Sequence, residues 1–346
     1  MMKKAMVLLL AVCLLQGTAL AEDAFTPSNK PKCGHENCYW TTTMDVTDTE
    51  KIWAMLQAPV TVIDGNQKTQ YTLRAEPDRK AEAVGEITCA SQSVHVLETL
   101  ENGWSRVECY SSSFHDSKTE KWNALVEGYV ETEKLKTVVP HAYMGLIVDK
   151  LTQRLYVFVE GELFSTLKVS TGLANERQPY NETRSGEFLL VSAVGDFKSD
   201  NLVCEKGIRF NFGDLIHTVP HVNRNGNKNY ESFEALLGER ASHGCIRVQR
   251  KRTPEGVNMT WIWNHYKKNT KLVIWEDWAG RTIPETPPET LVYYNEAGGR
   301  NYHSQETCYG VNKEKWPLTQ IAYANLFTET YQNLIPCAYC APPEKE

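Results

Sequence analysis

The hexapeptide Ser242-His243-Gly244-Cys245-Ile246-Arg247 holds the residue types that nucleophilic acyl chemistry needs. Cysteine attacks as a thiolate, and a free thiol with a pKa of about 8.5 is mostly protonated at neutral pH. An imidazole within reach takes that proton, and the upstream Ile216-His217-Thr218-Val219-Pro220 supplies one, with an ordinary pKa of about 6.5. His221 is a rival, but Pro220 is expected to turn the chain between the two, so His217 is the favoured base. Gly244 lets substrate backbone come close and is expected to free the amides of Gly244 and Cys245 for a developing oxyanion. By itself, His-Gly-Cys also fits a buried structural cysteine beside a turn glycine.

Two further groups carry metal or redox chemistry. His303 and Cys308, followed by the Cys337-x2-Cys340 pair, supply four soft ligands, the number that a closed zinc site uses. A disulfide or a redox pair are the alternatives there. Cys33-Gly-His35-Glu-Asn-Cys38 reads as a local disulfide, or as a metal site with His35 that lacks further nearby ligands. Cys89 and Cys109 flank a hairpin and are candidates for a bridge. Cys204 has no evident partner and reads as buried and inert.

The elements that must position these groups follow from pattern and composition. Lys3 and Lys4, the apolar residues 5–15 and Ala19-Leu20-Ala21 have the order of a secretory signal, with cleavage expected after Ala21. The run is shorter than the about 20 apolar residues of a membrane span, so the chain is expected in the cell envelope and not across a bilayer. Cys13 raises a lipoprotein alternative, though Val12 suits it poorly. In that compartment cysteines tend to pair. The chain has 346 residues, is 41% hydrophobic and 23% charged, and carries a formal charge of -6. Such a chain folds into two or three units, and its acidic balance excludes nucleic acid as a partner.

Residues 22–57 read as a polar N-terminal segment. Residues 58–140 carry short strands broken by Pro77-Asp78 and by the hairpin signal Asn102-Gly103, the pattern of a small β-barrel. Longer alternating strands fill 141–278, with Leu155, Val157 and Val159 on one face and a helical stretch near 257–266. Pro284, Pro287 and Pro288 mark a linker over 279–290, and 291–346 form a small Cys/His unit. The fold class is therefore mostly β.

Leu73-Arg74-Ala75-Glu76-Pro77, Val84-Gly85-Glu86-Ile87, Gly103-Trp104 and Glu127-Gly128-Tyr129-Val130 resemble a bacterial SH3-like domain, a wall-binding module or a spacer. Val169-Ser170-Thr171-Gly172, Arg184-Ser185-Gly186-Glu187-Phe188, His217 and Ser242-His243-Gly244-Cys245 occur in the order of the L,D-transpeptidase (YkuD-like) catalytic domain, which 141–278 resembles. The C-terminal unit resembles small His/Cys metal-binding modules of some DNA-repair proteins. Thr218 stands where many YkuD-like members have Gly, and the gap from His217 to Ser242 is long, with 223–228 reading as a hairpin or lid.

The resemblance implies a β-sandwich in which Cys245 is the nucleophile and His217 the general base and acid. His243 and Gly244 would shape the nucleophile turn, Ser242 would contact substrate, and Arg247 would anchor the substrate or the site loop. It implies no cofactor for catalysis, with zinc only as a structural ion at the C-terminal unit. The expected substrates are peptidoglycan stem tetrapeptides, joined in 3→3 cross-links, and carbapenems are expected to acylate the same thiol. Water as acceptor would make an L,D-carboxypeptidase, and a wall-binding protein without catalysis is the non-enzymatic alternative. In NlpC/P60-type wall hydrolases Cys precedes His, the reverse of the order here.

Overall fold

The computed structural model describes residues 32–117, 119–276, 280–282, 285–337, 339–340 and 342–345. The expected export signal with Cys13, and residues 279, 283 and 284 of the expected linker, lie outside the described residues. The fold is mostly β. Among the described residues no helix is long and apolar enough to cross a membrane.

A nine-stranded sheet carries the site. Its strands run in the order Gly186–Leu189, Lys271–Trp275, Met144–Asp149, Arg154–Val159, Glu162–Ser170, Ile246–Val248, Leu215–Thr218, Leu202–Arg209 and Ser192–Ser199. Successive strand side chains point to opposite faces. Met144, Leu146 and Val148 therefore share one face, as do Leu155 and Val157, and all five are fully buried in one core. Phe188 near one end of the sheet and Ile208 near the other reach that same core, so the sheet curls over it. The helix Met259–His265, inside the stretch expected to be helical, adds Met259 and Ile262.

The outer face is covered by an element that the polar composition of 22–57 conceals. The helix Thr49–Gln57 begins at Asp48, whose side chain accepts from the Lys51 amide, and it buries Ile52, Met55 and Leu56. A Cβ on Gly145 would lie 2.8 Å from Leu56, so only glycine lets the helix sit this close. Tyr39 and Trp40 are also buried.

A seven-stranded sheet spans Val60–Ile63 to Leu135–Val138, with the expected hairpin turning at Gly103 (φ +84°). Its core holds Ile63, Leu73, Ile87, Val94, Val107, Cys109 and Val130. The sheet does not stand apart from the larger one. Leu189 N–H donates to Ser91 O at 2.9 Å, and Gln92 bridges to Phe188. The candidate bridge between Cys89 and Cys109 is not formed, and both are free thiols. Cys109 packs into the core of this sheet, while the Cys89 sulfur accepts from Ser91 Oγ at 3.0 Å. The C-terminal residues form a four-stranded sheet over Val292, Tyr302, Ile321, Tyr323 and Leu326.

Candidate active site

The strand Leu215–Thr218 pairs in parallel with Ile246–Val248, with Ile216 opposite Ile246 and His217 opposite Arg247. Ile216, Ile246 and Val248 face the core. Alternation turns His217 and Arg247 to the other face, and Cys245, just before Ile246, shares it. His217 and Cys245 come from segments remote in sequence, and the parallel register of the two strands places them on one face of the sheet.

His217 is 2% exposed, and its Nδ1 lies 2.7 Å from Thr218 O. Nδ1–H donates to that carbonyl, which leaves the Nε2 lone pair as the acceptor. Phe197 packs edge-on at 5.4 Å. Burial, offset in part by the Thr218 carbonyl and reinforced by the Arg247 guanidinium, lowers the imidazole to about 4. This corrects the ordinary value of about 6.5 that the sequence suggests. His217 is neutral at neutral pH.

Cys245 is partly exposed, and its thiol points to Gly213 O at 3.9 Å. Burial first, then the Asp214 carboxylate, push the thiol up to about 12 against the opposing Leu215 amide and Arg247. At neutral pH Cys245 is thus a neutral thiol and His217 a neutral imidazole. His221 is 1% exposed, lies 4.8 Å from the Tyr230 ring, and is tied through its backbone to Val203.

The nucleophile turn is built from within. Gly244 has φ +117°, and a Cβ there would lie 2.5 Å from Asp214 Oδ1. Its carbonyl accepts from Thr183 Oγ1 at 2.8 Å. Its N–H points to Ser242 Oγ at 3.3 Å, so this amide is engaged inside the turn and not free for an oxyanion, contrary to expectation. Ser242 is buried, and its hydroxyl donates to Cys245 O; it serves the turn, where substrate contact was expected. Arg247 donates from Nη1 to Ala241 O at 3.0 Å, which anchors the loop. His243 is exposed and lines a cavity of about 320 Å³ with Phe114, His115, Tyr180 and Phe212.

Two buried residues complete the surroundings. Arg184 Nη1 lies 3.5 Å from Asp214 Oδ2, and its Nη2 donates at 2.6 Å to Ser113 O, just past the strand Trp104–Ser112 of the smaller sheet. Arg184 stands in a stretch that resembles the family pattern, but no sequence signal assigns it this role, and Asp214 has no local signal at all.

The C-terminal ligand set converges. The candidate ligand atoms of His303, Cys308, Cys337 and Cys340 lie within 4.8 Å of one another. Cys308 and Cys337 sulfurs are 3.9 Å apart, and Cys340 Sγ is 3.7 Å from His303 Nδ1. A tetrahedral zinc with bonds of about 2.3 Å has ligand–ligand edges of about 3.8 Å, so these residues fit the ion.

Residues 144–274 match the family model of the YkuD L,D-transpeptidase catalytic domain. No curated protein matches the chain. Among solved structures, an L,D-transpeptidase from Stackebrandtia nassauensis is 19% identical, with 39% of this chain and 56% of that one covered and a TM-score of 0.29. One from Mycobacterium smegmatis is 16% identical over 63% of this chain and 95% of its own, at a TM-score of 0.30. L,D-transpeptidase 3 from Mycobacterium tuberculosis, solved with a faropenem-derived adduct, is 15% identical over 43% and 66%, also at 0.30. The chain spans little more than half the length of the Stackebrandtia protein.

Proposed function

Residues 144–274 match the family model of the YkuD L,D-transpeptidase catalytic domain, and from that premise we propose that the chain is an L,D-transpeptidase that is exported to the cell envelope and forms 3→3 peptidoglycan cross-links through a thioester on Cys245. The carrying observation is the parallel register that turns His217 and Cys245 to one face, with the Nε2 lone pair of His217 left open by the Nδ1 bond to Thr218.

The sulfur attacks the carbonyl of the third residue of a donor stem as His217 Nε2 takes the thiol proton. The C–N bond to terminal D-Ala breaks, and the same imidazole delivers the proton to the leaving amine. An amine of a neighbouring stem then attacks the thioester, its proton passes to His217, and the sulfur departs as thiol. The Cys245 amide is the backbone donor we assign to the oxyanion, since the Gly244 amide is engaged. His243 and the aromatic cavity beside it offer the donor stem a binding wall. No cofactor enters this chemistry. We assign zinc to His303, Cys308, Cys337 and Cys340 as a structural ion of the C-terminal sheet. The signal-like residues 1–21 support export, and the barrel pattern of 58–140 supports an SH3-like module.

Mass spectrometry of the protein with a disaccharide tetrapeptide tests this directly. The expected result is a thioester adduct on Cys245 and a dimer joined 3→3. Tripeptide as sole product would reassign the enzyme as an L,D-carboxypeptidase, and absence of any adduct would remove Cys245 from the mechanism.

A further inference from the structure

The sequence pairs Cys33 with Cys38 and leaves His35 without further ligands; the fold supplies them. His95, on the strand Ser93–Thr99 of the smaller sheet, comes to the same point, and the ligand atoms of Cys33, His35 and His95 lie within 4.8 Å of one another. Cys38 Sγ is 3.3 Å from Cys33 Sγ and faces the His95 ring. We propose that Cys33, His35, Cys38 and His95 form a second zinc site, which fastens the N-terminal segment to both sheets.

Three observations carry it beyond a local disulfide. His95 is 6% exposed, and its Nδ1 is buried without a hydrogen bond of ordinary geometry. A disulfide would leave that nitrogen unused, whereas a metal takes its lone pair. The other ring nitrogen, Nε2, lies 2.6 Å from Glu187 Oε2, on the strand Gly186–Leu189 of the catalytic sheet. Glu187 is itself held by Lys271 Nζ at 2.7 Å. A carboxylate that fixes the far nitrogen of an imidazole is the arrangement that orients metal-binding histidines. Finally, Glu108 accepts from the Cys33 amide at 3.2 Å and so fixes the loop that presents the thiols.

The test counts zinc per chain in the full-length protein, its Cys308→Ser variant and its His35→Ala variant, and maps thiols in each. His35 is exposed, so its removal leaves the core packing in place. We expect Cys308→Ser to retain a zinc equivalent that Co²⁺ can replace with tetrahedral absorption bands. We expect His35→Ala to weaken that same equivalent at least about tenfold while leaving the C-terminal one. A Cys33–Cys38 disulfide in the protein as purified, or zinc content and affinity unchanged by His35→Ala, overturns the site. Loss of zinc in Cys308→Ser alone reports on the C-terminal group and separates that assignment from this one.

Discussion

Cys245 and His217 differ from a resting thiolate–imidazolium pair, and the difference is measurable. Burial holds the imidazole near 4 and pushes the thiol to about 12, so both stay neutral between these values. Acylation of Cys245 by a carbapenem is therefore expected to rise as pH climbs through about 4 and to stay level through neutrality, with no inflection near 6.5. Rates of adduct formation against pH would show it. The same burial links His217 to stability. Its folded pKa lies below its unfolded one, so the unfolded chain binds the extra proton between about 6.5 and 4. The contribution is fully present above that window and is lost as pH falls through it, on the order of 3 kcal/mol. His217→Gln should flatten that slope in melting experiments. It should also cost at least about 10²-fold in turnover, while His221→Ala keeps most activity. Cys245→Ser should retain the fold and form no acyl adduct of any kind.

Gly244 shows what the nucleophile turn demands. Alanine there would meet both a positive φ and the buried Asp214 carboxylate, so Gly244→Ala is expected to displace Cys245, abolish acylation and lower Tm measurably. Mass spectrometry and thermal melting separate the two effects. The strands that hold the candidate site were legible from alternating Leu155, Val157 and Val159, and the motif singled out Cys245 and His217, which the strand register then places on one face. The helix Thr49–Gln57 was not, because it lies in a segment whose polar residues outnumber the three it buries. Asp214, Arg184 and His95 were beyond reach for another reason. Their meaning comes from partners far along the chain, and local periodicity holds no information about those.

The two larger sheets act as one body around the cavity. Phe114 from the smaller sheet's side stacks on Phe212 at 5.0 Å, and Arg184 bonds to Ser113 on one side while facing Asp214 on the other. A spacer that held the catalytic sheet at a distance would not share a cavity with it. Phe114→Ala is thus expected to raise KM for a tetrapeptide donor several-fold and to leave carbapenem acylation of Cys245 within about twofold, which steady-state kinetics beside adduct rates would resolve.

The parallel pairing of Leu215–Thr218 with Ile246–Val248 has a consequence for how such an enzyme diversifies. Parallel neighbours cannot be joined by a tight turn, so the chain must leave the sheet after His217 and return before Cys245. Along that path it forms the hairpin Val222–Arg224 with Asn227–Asn229 and the short helix Glu231–Glu234. The spacing of His217 and Cys245 is set by strand register and not by the length of this excursion. The excursion can therefore change in length or sequence between fixed ends without moving the two residues relative to each other.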